Sequence, residues 1–256
     1  MGVCIITYSE EEVKQVTLDP NQIEEFYIDV FAEHQVRHFE QLTKFLETEK
    51  INLVADIGGG CGYFARELNS KTGLRVRVLD TDQESIETCL AANNRNVEAR
   101  IGDALNPESM NDEDIITFNL ILHHLVGRDE NETRMLQKKA IMAWRANAKY
   151  LFINEYIYDS LVCNISGRII FEITKSEFLS DICRFISKII PSFRANTFGV
   201  GVRFRAHNEW VELFEECGFE VVDKVFSEVE YTALPLRMLL IRSVRRDSFL
   251  LKSRHG

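Results

Sequence analysis

A glycine-rich stretch, LVADIGGGCGYFARELN, contains the residues best suited to bind a ligand. A short apolar run that includes Asp56 leads into glycines at positions 58, 59, 60 and 62, and a helical pattern follows. A glycine turn before a helix presents backbone N–H groups at the positive end of the helix dipole, and it lets a ligand approach the backbone closely. The stretch therefore predicts a nucleotide-binding loop.

The spacing of the glycines argues against a dinucleotide. Dinucleotide loops follow G-x-G-x-x-G, and their third glycine allows the helix to pack tightly on the strand. In this chain Gly58, Gly60 and Gly62 follow G-x-G-x-G, and Tyr63 stands where the third glycine of a dinucleotide loop would be. Asp56 is a poor neighbour for a pyrophosphate and a good neighbour for a cationic group, such as the ammonium of an amino acid.

Two histidines, His123 and His124, lie near the end of the apolar run IITFNLILHHL, which predicts a buried strand. Histidine titrates near neutral pH and is a natural general base. Adjacent strand residues point to opposite faces, so the pair does not predict a metal site. Glu155 ends the next strand, FINEY. It is expected to face the substrate, to orient a histidine or to cap the chain that follows.

Strand and helix patterns alternate along most of the chain, which predicts an α/β fold with a largely parallel sheet covered by helices on both faces. Five strands precede residue 157, and two more are predicted at FEVVDKVFSEV and LRMLLIRSV. The basic tail RRDSFLLKSRHG is expected to be mobile. The six cysteines include no CxxC pair, so neither a zinc site nor a redox pair is indicated.

Two segments stand apart from this alternation. Residues 1–50 predict an N-terminal helical segment that caps the main domain, residues 51–256. Its Tyr27 is a candidate aromatic wall of the substrate site, and His34 and His38 are candidates to lie near the substrate. The alternative for all three is packing on the sheet.

Residues 157–205 predict a helical lid inserted into the main domain. The lid contains seven Lys and Arg against four Asp and Glu, in a chain whose formal net charge is −10. Arginine suits carboxylate and phosphate groups. Arg203 and Arg205 are therefore candidates to bind an anionic substrate, and the alternative is a solvated helix face.

Four motifs, in order, resemble those of the class I S-adenosylmethionine-dependent methyltransferases of small-molecule type. VADIGGGCG resembles their glycine motif, VLD ends at an acid that binds ribose in that family, GDAL resembles the adenine-binding motif, and FNLILHHL resembles the strand that faces the methyl group. The resemblance covers about residues 50–155, and EWVELFEECGFEV also matches the family's last helix and strand. It implies a Rossmann-like, seven-stranded methyltransferase sheet.

The resemblance also implies S-adenosylmethionine as the donor, with S-adenosylhomocysteine as product, and a set of cofactor-binding residues: Asp56, Gly58, Gly60, Gly62, Asp80, Asp103, Ala104 and Leu122. In this set Asp80 binds the ribose hydroxyls and Asp103 faces the adenine amine. Asn119 departs from the family, which often has Asp at this position. LILHHL is similar to the LHDW-like segment of plant phenol O-methyltransferases, which implies that His123 is the base and that His124 replaces the Asp.

The residues and the resemblance together predict methyl transfer to a small molecule, with O-methylation favoured. C-methylation of an activated acid or an isoprenoid, an inactive cofactor-binding module and an oxidoreductase on the same architecture stay open. The acidic balance, with a pI of ≈ 5.2, argues against nucleic acid as a partner. The chain has no apolar run of about 18 residues and no signal-peptide pattern, so a cytoplasmic protein without a membrane span is expected. Both a monomer and a homodimer are compatible with the sequence.

Overall fold

The computed structural model describes residues 29–48, 50–107, 112–188, 197–232, 234 and 236–254. Tyr27 lies outside the described residues, as does the rest of the chain before Asp29.

Among the described residues, the centre of the molecule is an eight-stranded sheet. Its strands are β1 Leu53–Ile57, β2 Arg75–Asp80, β3 Val97–Ile101, β4 Ile115–Asn119, β5 Tyr150–Ser160, β6 Phe219–Phe226, β7 Glu230–Tyr231 and β8 Ile241–Ser253. The order is β3-β2-β1-β4-β5-β8-β6, and β7 pairs with β8. The first five strands are parallel, whereas β8 runs antiparallel to both β5 and β6. The predicted seven-stranded path is confirmed, and the short β7 adds to it.

Helices cover both faces of this sheet, as the sequence predicts. They are α1 Asp29–Thr43, α2 Tyr63–Thr72, α3 Gln83–Ala91, α4 Glu130–Ala143, α5 Ser166–Lys175, α6 Glu177–Ser187 and α7 His207–Glu216, with 3-10 turns at Lys44–Thr48, Leu122–His124 and Leu236–Leu239. One core lies under α1, α2 and α3, and includes Phe39 and Phe64. The other lies under α4 and α7, and includes Trp210 and Phe214.

The α1 helix packs on the sheet. Its Phe39 ring contacts the rings of Phe64 and Phe152, at centroid distances of 6.1 Å and 5.2 Å. His38 is buried, and its Nδ1 lies 2.9 Å from the Ser248 hydroxyl. These contacts favour the packing interpretation for α1, because burial of His38 against β8 leaves its ring facing protein atoms.

The expectation of a mobile tail is wrong, because most of that tail is the body of β8. Phe249, Leu250 and Leu251 are fully buried between β5 and β6. The basic residues that suggested a mobile end are compensated locally. Arg245, for example, forms ion pairs with the carboxylates of Asp247 and Asp159. In the sequence alone these charged residues suggest a mobile segment, because the ion pairs that neutralise them form only in the folded sheet.

Strand boundaries at the carboxyl edge also differ from prediction. β4 ends at Asn119, and Leu120 takes a left-handed conformation with φ 56° before the 3-10 turn that contains both histidines. β5 continues to Ser160, so the first residues of the predicted lid are strand. The helices α5 and α6 follow within this segment, and residues 189–196 lie outside the described part of the chain. The division into cap, main domain and lid remains a prediction.

Candidate active site

The glycine loop connects the end of β1 to α2 in left-handed backbone conformations. Gly58, Gly60 and Gly62 have φ values of 68°, 51° and 73°, a region that side chains with a Cβ rarely adopt. A Cβ on Gly58 would also meet Ile121 Cδ1 at 1.9 Å. A Cβ on Gly60 would find no described heavy atom within 4 Å, so open space borders the middle of the loop. The loop is thus shaped for a ligand at its centre.

Asp56 is fully buried beneath this loop. Its Oδ1 accepts hydrogen bonds from Thr117 Oγ1 at 2.9 Å and Asn119 Nδ2 at 3.0 Å. Its Oδ2 has no hydrogen-bond partner among the described residues. Burial raises the pKa of the carboxyl to about 6, and the two hydrogen bonds only partly oppose this effect. A buried acceptor without a donor suits the ammonium group that the sequence predicts there.

Asp80 and Asp103 lie at the carboxyl ends of β2 and β3. Asp80 accepts the backbone N–H of Gly60 at 2.8 Å and that of Asp82 at 2.9 Å, which ties the glycine loop to β2. Burial raises the pKa of its carboxyl. Asp103 accepts the N–H of Leu105 at 2.8 Å and the side-chain amide of Asn106 at 2.7 Å. A carboxylate oxygen can accept more than one hydrogen bond, so the carboxylates of Asp80 and Asp103 retain the capacity to accept further bonds from a ligand.

Ala104 and Leu122 are both buried. The Ala104 carbonyl accepts a hydrogen bond from Trp144 Nε1 at 2.9 Å. The Leu122 carbonyl accepts one from Gln137 Nε2 at 3.0 Å. The sequence did not single out Gln137, because a polar residue within the amphipathic pattern of a helix carries no distinctive signal.

His123 and Glu155 form a buried pair. His123 Nδ1 lies 2.6 Å from Glu155 Oε2, and the other carboxylate oxygen accepts the N–H of Leu122 at 2.7 Å. Of the three roles expected for Glu155, its position matches the orientation of a histidine. Because a carboxylate accepts hydrogen bonds, it holds the ring proton on Nδ1 and leaves the lone pair on Nε2.

His124 lies beside His123 on the same 3-10 turn. Their ring centroids are 4.2 Å apart, so the expectation of opposite faces, which assumed a strand, is wrong. Desolvation by the surrounding protein, with a smaller effect of His123, lowers the pKa of His124 well below its usual value. Among the described residues, no group of three or more His, Cys, Asp and Glu side chains is arranged to hold a metal.

The rings of Phe204 and Tyr156 contact His123, Tyr158 stacks on Phe204 behind it, and sequence reasoning missed all three side chains. The Phe204 ring lies 5.0 Å from the His123 ring and stacks on Tyr158 at 4.2 Å with an interplanar angle of 12°. The Tyr156 ring meets His123 at 5.8 Å, edge to face. Tyr156 and Tyr158 alternate along β5, and this spacing on a strand was the signal that both side chains share a face.

Arg203 and Arg205 flank Phe204, but their guanidinium groups are buried in ion pairs. Arg203 Nε lies 2.6 Å from Glu130 Oε2, and its Nη2 lies 2.8 Å from Glu209 Oε1. Arg205 Nη1 lies 2.8 Å from Glu130 Oε1, and its Nε donates to Gln137 Oε1 at 2.7 Å. Their placement does not support the expected contact with an anionic substrate, since nearby carboxylates already neutralise both charges.

The segment 157–205 contacts the chain at and after the turn that carries the histidines. The N–H of Arg203 donates to the His123 carbonyl at 2.9 Å, and Lys175 Nζ at the end of α5 donates to the Arg128 carbonyl at 3.1 Å. These bonds place part of the segment 157–205 over the carboxyl ends of β4 and β5.

Comparisons with known proteins agree with this geometry. Residues 55–140 match a family model described as a methyltransferase domain. A trans-aconitate 2-methyltransferase of Mycobacterium tuberculosis is 27% identical over 117 residues, which are 45% of this chain and 44% of the relative. The chain thus spans less than half the length of the curated relatives it matches.

Two solved structures share the fold. The MccD protein aligns with a TM-score of 0.56 at 11% identity, over 86% of this chain and 96% of that one. The mitomycin 7-O-methyltransferase MmcR aligns with a TM-score of 0.54 at 14% identity, over 88% of this chain and 53% of that one.

In the described part of the chain no helix is both long and apolar enough to cross a membrane. The glycine motif, the strand order and the match over residues 55–140 together support a class I S-adenosylmethionine-dependent methyltransferase domain in this chain.

Proposed function

We propose that this protein transfers a methyl group from S-adenosylmethionine to a hydroxyl oxygen of a small molecule, with His123 as the general base. The observation that carries the proposal is the buried pair of His123 Nδ1 and Glu155 Oε2, which are 2.6 Å apart just beyond the point where the parallel pairing of β4 with β5 ends. In an open α/β sheet this edge is where ligands bind.

The residues around the glycine loop fit the donor. The unpartnered Oδ2 of Asp56 suits an ammonium group, the open space beside Gly60 admits a ligand, and Asp80 and Asp103 offer acceptors for hydroxyl and amine groups. When bound, S-adenosylmethionine supplies an electrophilic methyl group: the acceptor oxygen bonds to the methyl carbon, and the electron pair of the broken carbon–sulfur bond stays on sulfur.

His123 is arranged to take the proton that the acceptor loses. Glu155 keeps the ring proton on Nδ1, so the lone pair of Nε2 is available to the hydroxyl. The N–H of Leu122 fixes the second oxygen of Glu155, which prevents the carboxylate from rotating away from the ring. His124 is held neutral by its lowered pKa, so it adds no positive charge that would oppose protonation of His123.

The similar proteins support a small acceptor. The curated relatives are named for trans-aconitate, and one structural neighbour is named for mitomycin. Both are small molecules, and the acidic balance of this chain continues to argue against nucleic acid.

Calorimetric titration of the purified protein with S-adenosylmethionine, S-adenosylhomocysteine and NAD tests the donor. We expect both sulfur compounds to bind in one-to-one stoichiometry and NAD to give no heat of binding. Methyl-labelled S-adenosylmethionine, incubated with a panel of hydroxyl-bearing compounds, then reports transfer. Binding of NAD alone, or label that is transferred exclusively to carbon acceptors, would overturn the proposal.

A further inference from the structure

We propose that α6 is the contact helix of a homodimer and packs antiparallel against α6 of a second copy of this chain. The proposal goes beyond methyl transfer and does not depend on it. It is supported by a stripe of apolar side chains that faces outward, by the polar contacts of the opposite face of α6 and by the order of charges along the helix.

The apolar side chains of α6 face away from the protein. Phe178, Ile182 and Phe185 are 74%, 42% and 65% exposed, and Leu179 beside them is 38% exposed. Side chains spaced by three and four positions lie on one face of a helix. Single exposed apolar residues are ordinary, whereas a contiguous apolar surface over two turns marks an interaction site. We call these four side chains the α6 stripe.

The inward face of α6 is polar and already bonded to the protein. Ser180 is the buried residue of this helix. Its hydroxyl donates to the Ile173 carbonyl at 3.0 Å and accepts the N–H of Gly199 at 2.9 Å. Arg184 Nη2 donates to the Phe198 carbonyl at 2.7 Å. A surface helix usually turns its apolar face inward, so α6 is reversed, and these bonds hold the stripe toward a partner.

The charges of α6 identify that partner. Glu177 and Asp181 lie in the first half of the helix, Arg184 lies in the second half, and Lys188 follows its last residue. All four side chains are exposed. Two such helices repel each other in a parallel pair and attract each other in an antiparallel pair, because each acidic half then faces a basic half. A two-fold axis across the helix produces the antiparallel arrangement, so α6 complements a second copy of itself.

The stripe sets the register of the pair. In an antiparallel pair of helices with this apolar spacing, Ile182 packs opposite Phe185 of the second copy. The same register brings Asp181 beside Lys188 of the second copy, and the two-fold axis repeats that contact. Asp181 also pairs with Arg184 within its own helix. A carboxylate accepts several hydrogen bonds, so this pair does not prevent the contact between copies.

The size of the stripe predicts a weak dimer. An aromatic side chain buries about 150–250 Å², so the four partly exposed side chains offer roughly 400 Å² on each copy. With the charged residues at the rim, about 1,000 Å² in total would be buried, near the lower limit of specific interfaces. The dimer should therefore form at micromolar concentration and dissociate on dilution.

Sedimentation velocity of the full chain, from low to high micromolar concentration, tests the proposal. We expect the weight-average mass to rise from that of the 29.6 kDa chain towards twice that value. Phe178→Ser should remain monomeric throughout, because it removes the most exposed side chain of the stripe. Met142→Ser is the matched control. It replaces an apolar side chain on α4 that is 50% exposed, and it should associate as the wild type does.

An exchange of charges tests the antiparallel register. Lys188→Asp should weaken the dimer about 10-fold, because it places two carboxylates beside each other at each contact. Lys188→Asp combined with Asp181→Lys restores opposite charges with their signs reversed, and it should return the dissociation constant to within about threefold of wild type. Far-UV circular dichroism and thermal unfolding of each variant report that the monomer is intact.

Each contrary result overturns the proposal. These results are a chain that stays monomeric at high micromolar concentration, a dimer that Phe178→Ser leaves unchanged, and a double exchange that associates no better than Lys188→Asp. A monomer that co-sediments with phosphatidylglycerol vesicles, and loses this binding in Phe178→Ser, would also overturn it and assign the stripe to a lipid surface. The donor titration is independent of all these measurements, so dimerisation and methyl transfer can fail separately.

Discussion

At the scale of the single residue, Asp56 lowers the stability of the free protein and is placed to bind the ammonium group of the proposed donor. Its carboxyl is fully buried, one oxygen has no described partner, and burial raises its pKa to about 6. A buried carboxylate that is incompletely hydrogen-bonded costs folding free energy unless a ligand supplies the missing partner. The ammonium group of S-adenosylmethionine would offset that cost, so the residue is unfavourable in the free protein and useful in the complex.

Replacement of Asp56 by Asn should therefore stabilise the free protein above pH 6. The folded-state pKa of about 6 lies above the model value of 3.8, so the cost of burying the charge is absent below pH 3.8 and complete above pH 6. The difference corresponds to about 3 kcal/mol in the free energy of unfolding at pH 8. Thermal unfolding at pH 8 measures it, with Asp223→Asn, an exposed carboxylate on β6, as the control. A lower Tm for Asp56→Asn would refute this account of the residue.

The same carboxyl predicts the pH dependence of donor binding. Only the ionised form pairs with an ammonium, so the affinity of the wild-type protein for S-adenosylmethionine should fall as the pH is lowered from 7.5 to 5. In Asp56→Asn the affinity should be weaker at pH 7.5 and nearly flat across this range. Calorimetric titrations at four pH values distinguish the two curves. Parallel curves for both proteins would show that Asp56 does not meet the ammonium.

At the scale of the element, the 3-10 turn Leu122–His124 is held from three sides. Glu155 on β5 accepts the N–H of Leu122, Gln137 on α4 donates to the Leu122 carbonyl, and Arg203 in the lid donates its N–H to the His123 carbonyl. Gln137 also accepts from Arg205 Nε, which joins α4 to the lid. The turn that carries His123 is thereby coupled to both a sheet-covering helix and the segment 157–205.

Gln137→Ala should lower kcat more than it affects donor binding. The change removes one of two donors to the Leu122 carbonyl, which keeps the N–H of Leu125, and it leaves Arg205 Nε without its acceptor, which costs about 1–3 kcal/mol of stability. Because His123 then loses part of its alignment, we expect kcat to fall about 10-fold or more, while the Kd for S-adenosylmethionine changes little. Gln83→Ala on α3, whose amide bonds only to Glu87 at the surface, is the control. Equal losses in kcat and donor affinity would instead indicate general unfolding.

At the scale of the whole molecule, the sequence predicted the elements whose signals are local. Buried apolar strands such as β1 and β4, the glycine turn and the acid at Asp80 follow from short patterns, and the parallel pairing of the first five strands follows from the alternation of strands and helices. The predicted strand LRMLLIRSV includes only residues 241–244 of β8, and the rest of the strand was missed because its charged residues Arg245 and Asp247 neutralise one another only after folding. The periodicity of a short segment does not show which distant residues will pair with it after folding.

The aromatic side chains near His123 also could not be predicted from local sequence patterns. Phe204 and Tyr158 are 46 positions apart in the chain, and only the bridge between β5 and the segment before α7 brings their rings together. The ion pairs of Arg203 and Arg205 could not be predicted for the related reason that their partner Glu130 lies on α4, more than 70 positions earlier in the chain. Composition gives the charge of a segment, whereas the partner of each charge depends on the tertiary fold.

The pH dependence of kcat/KM for wild-type protein and His123→Asn, with S-adenosylmethionine saturating, tests the central claim most directly. Asn retains a polar side chain but cannot accept a proton near neutral pH. The account predicts that wild-type activity falls at low pH as the base becomes protonated. It also predicts that His123→Asn loses about 10²- to 10⁴-fold in rate and shows no such fall, with donor affinity within about twofold of wild type. A variant that keeps the wild-type rate and the wild-type pH profile would contradict the assignment of His123 as the base.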